Sequence, residues 1–329
     1  MYETVKSELN RFERFMSWGR APNITIKKIC EFGCILSPTQ SSLSLRNNKE
    51  IGLTLMGITH GNEVAGLAVL NELFAAILQG VITLDFPIAL LLGNPNAALK
   101  NTRFVERDLN RSFMNSDTQK AEEKRARELE KILRKTLLFL DFHQTSEPSS
   151  TPFFIFPYSE GGFQFARTIE TNIPIVTHWG DDFSKEGRCT DEFVNSEGGT
   201  GITIELGQNG FHPYHVAAGF KIAVRSLMAA KTYIAQEGFP ADETLSTAQI
   251  YTWADVLEYP REAIMTPGYI NFADVNKGDE LGVLDKKKIP APSSGKILFP
   301  KYKRSETEPA QIEICRILKR IPFDAIGKP

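Results

Sequence analysis

An α/β fold is predicted, with a mainly parallel or mixed sheet flanked by helices and a smaller all-β domain at its C-terminal end. Three observations predict it. Apolar runs of strand length alternate with helical patterns between residues 51 and 235. Those runs show no polar alternation, as strands covered on both faces do. After Gly238 no long helical pattern follows, and short β-type runs punctuated by Pro and Gly take over. A boundary is expected near Asp242, dividing the chain into residues 1–241 and 242–329.

The elements follow in order. Residues 1–19 place Val5, Leu9, Phe12 and Phe15 or Met16 at helical intervals and predict an amphipathic helix. Short β-type runs lie at 24–29 and 34–36, broken by Gly33 and Pro38. The apolar run 51–58 is a buried strand feeding a helix over 64–78. A second strand over 87–92 ends at Gly93-Asn94-Pro95, so the two strands and their helix make a right-handed βαβ unit. A polar loop, 94–114, comes next. Residues 118–135 are dense in Glu, Lys and Arg, with Ala121, Leu129, Ile132 and Leu133 marking the buried side, and read as a helix with a solvated charged face. A third buried strand, 137–142, ends at His143, and further strands are expected at 153–156, 174–177 and 201–206. The last long helix is expected over 214–235. Beyond it, β-runs are read at 249–256, 268–272, 282–284 and 295–299. The phrases 275–282 and 291–297 resemble those of a biotinyl/lipoyl-like barrel sandwich, but without a modifiable Met-Lys or Asp-Lys hairpin, so no covalent cofactor is expected there.

Composition narrows the functional classes. A hydrophobic share of 42% and a charged share of 24% are those of an ordinary soluble protein. A net charge of −2 gives no footprint for nucleic acid or an anionic membrane. No apolar run reaches bilayer length, and the charged start 1–6 lacks a signal peptide's apolar core. The four cysteines, Cys30, Cys34, Cys189 and Cys315, are dispersed and read as buried free thiols. The expectation is a cytoplasmic protein, and a homo-oligomer is compatible with it.

Polar residues gather where such a sheet places its sites, beyond the carboxyl ends of its strands. His60 and Glu63 stand three apart at a strand-to-helix junction, on one side of the turn, and both are suitable ligands for Zn²⁺. A third ligand is needed; His143, at a strand end, is the choice, with His178 as the fallback. His212 and His215 flank Pro213 at a helix start and read as capping or exposed residues. The segment 101–111 is dense in guanidiniums and carboxylates, and Arg suits bidentate capture of a substrate carboxylate. Glu205 lies in an apolar strand, where desolvation would raise its pKa and suit it to general acid–base work.

His60-Gly61-Asn62-Glu63, Asn94-Pro95, Thr102-Arg103, Asp108-Leu109-Asn110-Arg111, Asp141-Phe142-His143 and Ile204-Glu205-Leu206-Gly207, in this order, resemble the succinylglutamate desuccinylase/aspartoacylase family of the zinc carboxypeptidase clan. The match covers roughly residues 50–235, and a C-terminal β domain is also typical of that family. The resemblance implies a zinc-carboxypeptidase-like catalytic domain holding one Zn²⁺ per chain through His60, Glu63 and His143. It implies Glu205 as general base, Arg103 polarising the scissile carbonyl, and Asn110 and Arg111 gripping the substrate's carboxylate. Asp108 resembles the partner that orients the first zinc histidine. The implied activity is hydrolysis of the amide of an N-acyl amino acid, a small-molecule substrate. The alternatives are a zinc carboxypeptidase acting on peptides and a non-catalytic metal-binding protein of the same fold. One departure stands out: aspartoacylases proper carry an Arg about ten residues before the catalytic Glu, and the stretch 193–198 here has none. That opens the way to a neutral acyl group such as acetyl.

Overall fold

The structure, a computed structural model, describes residues 2–46, 48–115, 119–178, 187–242, 247–258, 263–302 and 313–325. It opens with helix α1 (Tyr2–Ser17), strands β1 (Arg20–Ala21), β2 (Ile24–Cys30), β3 (Gly33–Pro38) and β4 (Ile51–Gly57), then α2 (Ala65–Leu78) and β5 (Ile88–Leu92). The polar segment after β5 contains a short helix, α3 (Pro95–Lys100), and a 3-10 turn, Leu109–Arg111. Next come α4 (Ala121–Leu133), β6 (Thr136–Thr145), β7 (Phe153–Pro157), α5 (Glu160–Ile169), β8 (Ile175–His178), α6 (Thr190–Ser196), β9 (Thr200–Gln208) and α7 (Pro213–Gln236). Seven more strands follow among the described residues, β10 (Ile250–Glu258), β11 (Ile264–Met265), β12 (Asp274–Val275), β13 (Glu280–Leu284), β14 (Lys287–Pro290), β15 (Gly295–Leu298) and β16 (Glu313–Ile321), and then a 3-10 turn, Phe323–Ala325.

Thirteen of the described strands join one mixed sheet in the order β1-β2-β3-β5-β4-β6-β9-β7-β8-β10-β16-β15-β12. Its centre is parallel, β5-β4-β6-β9, while β7 runs antiparallel to β9. A second small sheet holds β11, β13 and β14. The expected α/β architecture with a smaller β-rich C-terminal part is therefore what the chain forms. β10 pairs in parallel with β8, so the main sheet runs on into the C-terminal strands.

Alternation along the central strands decides what faces which layer. Ile88, Leu90 and Leu92 of β5 join the cluster under α1, α2, α5 and α7, whereas Ala89 and Leu91 join the cluster under α4 and α6. Likewise Leu138, Leu140 and Phe142 of β6 and Ile202, Ile204 and Leu206 of β9 face the first cluster. The intervening positions, Asp141 and His143 on β6 and Thr203 and Glu205 on β9, are thereby placed on the opposite face. Strand register sets His143 beside Glu205 and Asp141 beside Thr203. A buried polar row at the carboxyl end of a central parallel sheet is what locates the site.

Some expectations are corrected. Residues 268–272 form a turn rather than a strand; Asn271 ties it to Glu147 and Pro148, its Nδ2 donating to both carbonyls at 3.1 Å. β16, α5 and α6 lie outside the elements read from the sequence; α5 carries Gly161 and Gly162 in its first turn, where the Ser159 hydroxyl accepts from the Gly162 N–H. The charged face of α4 is not wholly solvated. Glu122, Glu123 and Glu130 are buried because loop amides and side chains donate to them. Ala121, expected on the buried side, is exposed, and Ala126 is buried instead. All four cysteines are buried free thiols. Among the described residues no helix is long and apolar enough to cross a membrane.

Candidate metal centre

The strand-to-helix junction after β4 is shaped by close backbone contacts. A Cβ at Gly57 would sit 2.8 Å from the Gly66 carbonyl carbon, so β4 and α2 approach only because neither carries one. Ile58 turns the chain with φ 51°, a left-handed conformation that a β-branched residue rarely holds and that costs on the order of 1–3 kcal/mol. Asn94 N–H holds it by donating to the Ile58 carbonyl at 2.8 Å. The kink delivers Thr59, His60 and Glu63 to the edge of the sheet.

There, His60, Glu63 and His143 form a buried group whose ligand atoms all lie within 4.8 Å of one another. His60 Nδ1 is 2.8 Å from Glu63 Oε1, and His143 Nδ1 is 3.0 Å from Glu63 Oε2. The far nitrogens meet carboxylates: His60 Nε2 lies 3.1 Å from Asp108 Oδ1 and His143 Nε2 lies 3.0 Å from Asp141 Oδ2. Ionised carboxylates only accept, so with a cation between the rings and Glu63 each Nε2 would carry the proton and each Nδ1 would turn its lone pair inward. Two inward nitrogens against a buried carboxylate are held together only by protons or by a cation. A further sign is Glu205 Oε2, which is buried with no hydrogen-bond partner among the described residues. The N, N, O donor set, its oriented rings and the orphaned oxygen fit a divalent ion of the zinc type.

The charges are strongly coupled. Burial pushes the Glu205 carboxyl up to about 8, reinforced by Glu63 and opposed by His143, Arg103 and Lys301. Burial would also raise Glu63, but His60 and His143 outweigh it and hold that carboxyl below its ordinary range. Burial works against charge on His143, yet Asp141 and then Glu63 raise it well above an ordinary imidazole. Asp108 is held low because His60 and Arg103 outweigh its desolvation.

The remaining sequence-derived residues surround this group. Arg103, 42% exposed at its side chain, donates from Nε to Asp108 Oδ2 at 3.0 Å and from Nη1 to Glu63 Oε1 at 3.4 Å. Asn110 is buried, and its Oδ1 accepts from the Thr190 N–H at 3.0 Å, which fixes the amide's orientation. Arg111 donates from Nη1 to the Asn110 carbonyl at 2.7 Å and to Cys189 Sγ at 3.1 Å. His178 ends β8, and its side chain lies outside the described residues. His212 and His215 stand at the start of α7, where Pro213 occupies the first turn, and line a pocket of about 210 Å³ with Pro148, Ser149, Gln208 and Tyr214.

Sequence reasoning missed several contributors. Asp141 also accepts from the Thr59 hydroxyl at 2.9 and 2.8 Å and from the Thr190 hydroxyl at 2.7 Å. Thr59 is marked in the sequence only by its place next to His60, and Asp141 by its place in the Asp141-Phe142-His143 motif, which by itself gives it no role. Gln144 donates its N–H to Glu63 Oε2 at 3.1 Å. Lys301, just past β15, is near enough for the charges of Arg103, Glu205 and Glu63 to act on it; burial and Arg103 lower its pKa. No local spacing links Lys301 to the rest.

Fold and site together define an α/β protein with a buried His-Glu-His group, able to hold a metal ion, at the carboxyl end of its central parallel strands. Residues 50–229 match the model of the succinylglutamate desuccinylase/aspartoacylase catalytic domain, and the chain belongs to that family. It is 28% identical over 294 residues to a succinylglutamate desuccinylase of Pseudomonas syringae pv. tomato, covering 84% of each chain. Its fold is similar to that of a succinylglutamate desuccinylase from Vibrio parahaemolyticus, with a TM-score of 0.67, 17% identity and coverage of 91% and 89%. It is also similar to murine aminoacylase 3, with a TM-score of 0.62, 19% identity and coverage of 84% and 99%.

Proposed function

We propose that this protein is a zinc-dependent hydrolase that cleaves the amide bond of an N-acyl amino acid. One observation carries the proposal: the buried His60, Glu63 and His143 face Glu205, whose Oε2 is buried and has no partner among the described residues. His60, Glu63 and His143 would hold the ion. When bound, a zinc ion there supplies Lewis acidity and a water acidic enough to ionise near pH 7.

The chain's own groups do the rest. Glu205, with its raised pKa, accepts a proton from the attacking water and returns it to the leaving amine. Arg103 offers a partly exposed guanidinium to the oxygen on which negative charge develops, a contribution of about 3 kcal/mol for one such donor. Asn110 and Arg111 receive the carboxylate of the amino-acid part. Asp108 and Asp141 hold the two imidazoles in the tautomer that ligation needs. The relatives named as desuccinylase and aminoacylase support an amide-cleaving reaction.

The stretch 193–198, lacking the Arg of aspartoacylases proper, belongs mostly to α6, and Phe193 and Val194 are buried beneath it. Selectivity for the acyl group is accordingly assigned elsewhere in the cleft. A catalytic unit over 1–241 and a β unit over 242–329 is part of the same reading, supported by the separate apolar cluster that includes Ala263, Met265, Leu281 and Ile317. A cytoplasmic location is supported by the four free thiols.

The test is release of free amine by the zinc-loaded protein from paired N-acetyl and N-succinyl amino acids and from short peptides. Turnover of N-acyl amino acids over peptides is expected. Exclusive cleavage of peptides would replace this reading with a carboxypeptidase, and no turnover of any with zinc bound would leave a binding protein.

A further inference from the structure

We propose that Glu122, in the first turn of α4, is a positioning residue for the loop that carries Arg103 and Asp108, and acts on catalysis through them. This rests on the roles given above to those two residues.

The loop between α3 and the 3-10 turn is largely exposed, with Arg103, Phe104 and Glu106 all open to solvent. An exposed loop does not hold a guanidinium and a carboxylate in place by itself. Glu122 is 2% exposed and takes four donors. Its Oε1 accepts from Val105 N–H at 2.6 Å and from Asn94 Nδ2 at 3.0 Å. Its Oε2 accepts from Glu106 N–H and Arg107 N–H, each at 3.1 Å. Three consecutive backbone amides therefore converge on one carboxylate, an arrangement that defines the shape of residues 105–107. Arg103 stands two residues before that clamp and Asp108 one residue after it.

Other bonds brace the same frame. The Arg103 carbonyl accepts from Gly61 N–H at 3.0 Å, tying the loop to the turn that carries His60 and Glu63. Glu106 accepts in return from Ala121 N–H, at the start of α4. Asp108, so placed, accepts from His60, Arg103 and Asn110 N–H, and thereby also seats the turn bearing Asn110 and Arg111. Only an acceptor on both atoms serves here. An amide in place of the carboxylate turns two hydrogens toward amides that also donate, leaving donors unpaired. None of the three metal-ligating residues is bonded to Glu122.

The test compares Glu122→Gln, Glu122→Asp, Arg103→Ala and the Glu122→Gln/Arg103→Ala double variant in the zinc-loaded, full-length protein. A misplacement of about 1 Å costs on the order of 100-fold in rate, so Glu122→Gln is expected to lower kcat/KM by about that factor while keeping full zinc content. Glu122→Asp, which keeps the acceptors on a shorter arm, should recover part of it. The double variant should lose less than the product of the two single losses, since Glu122 acts in part through Arg103 and in part through Asp108. Single losses that multiply in full would overturn the proposal, as would zinc lost along with activity or wild-type kinetics in Glu122→Gln. Amide hydrogen exchange at 105–107 gives a readout independent of turnover, and is expected to quicken in Glu122→Gln. If the unaltered protein hydrolyses no N-acyl amino acid, the functional reading falls and exchange alone decides: faster exchange upholds the anchor, unchanged exchange refutes it.

Discussion

Asp141→Asn is the substitution whose consequence can be worked most directly from the structure. Asp141 is fully buried in β6, and its two oxygens accept from the Thr59 hydroxyl, His143 Nε2 and the Thr190 hydroxyl. An asparagine has the same shape but only one acceptor atom. If its oxygen faces His143, the imidazole keeps its tautomer but loses an anionic partner for a neutral one. If its nitrogen faces His143, two donors collide and the ring must move its proton to Nδ1, the atom that faces the metal. The first arrangement is the cheaper, and loss of such a partner typically weakens metal binding 10–100-fold. That corresponds to about 1.4–2.8 kcal/mol. The assay is competition for Zn²⁺ against a chromophoric chelator at fixed pH, with circular dichroism to verify folding. A folded Asp141→Asn variant that binds zinc as tightly as the parent would refute the orientation argument for His143.

Three other outcomes are expected. Glu205→Gln should retain zinc and lose about 10²–10⁴ in kcat; undiminished turnover would remove Glu205 from the mechanism. The working base must be ionised, so kcat/KM of the parent should rise with pH, with a midpoint below 8 because a bound cation pulls down the value set by burial and Glu63. His60→Ala should lose both zinc and activity, and full zinc occupancy by elemental analysis would contradict the ligand assignment. Asp191 is raised by burial and then Glu192 from 3.8 to about 7, so the folded state holds a proton that the unfolded chain releases. Stability therefore falls as pH rises between those values, by about 4 kcal/mol in all. Asp191→Asn should recover most of that in urea unfolding at pH 8 and much less at pH 5; equal gains at both would contradict the burial account.

The parts of the fold that were legible share one property: their signal lies within a single segment. β4, β5 and β6 read as buried strands because their side chains are apolar on both faces, and α2 and α7 read as helices because they are long and lack interior Pro. His60, Glu63, His143 and Glu205 were legible as polar stations at strand ends, with their order and flanking residues carrying the family resemblance. What sequence could not supply was tertiary partnership. Glu122 looks like any charge on a surface helix, and only the folding of residues 105–107 over it makes it a buried acceptor. Lys301 follows a short strand in the C-terminal part and reaches the site by sheet continuity alone. The turn at 268–272 has strand-like composition, yet Phe272 takes φ 66° and the Asn271 side chain fastens it.

Thr190 joins the two halves of the site and allows them to be separated experimentally. Its backbone N–H and its hydroxyl make different bonds: the N–H donates to Asn110 Oδ1 at 3.0 Å, while the hydroxyl lies 2.7 Å from Asp141 Oδ2 and 3.2 Å from Asn110 Oδ1. A hydroxyl has one proton, and the shorter contact to a charged acceptor takes it. The N–H alone then suffices to hold Asn110. Thr190→Val keeps the shape and the N–H and removes only the hydroxyl, so its effect should travel toward the metal and not toward the substrate's carboxylate. Zinc affinity is expected to drop about tenfold, in line with the lower end of the 1.5–3 kcal/mol typical of hydrogen bonds to charged groups. KM for an N-acyl amino acid should stay near the parent value, whereas Asn110→Ala should raise KM and leave zinc affinity intact. Combining Thr190→Val with Asp141→Asn should cost less than the sum of the two, because both weaken the support of His143. A Thr190→Val variant with raised KM and unchanged zinc affinity would show that the hydroxyl serves Asn110, and that the division between the two halves is drawn in the wrong place.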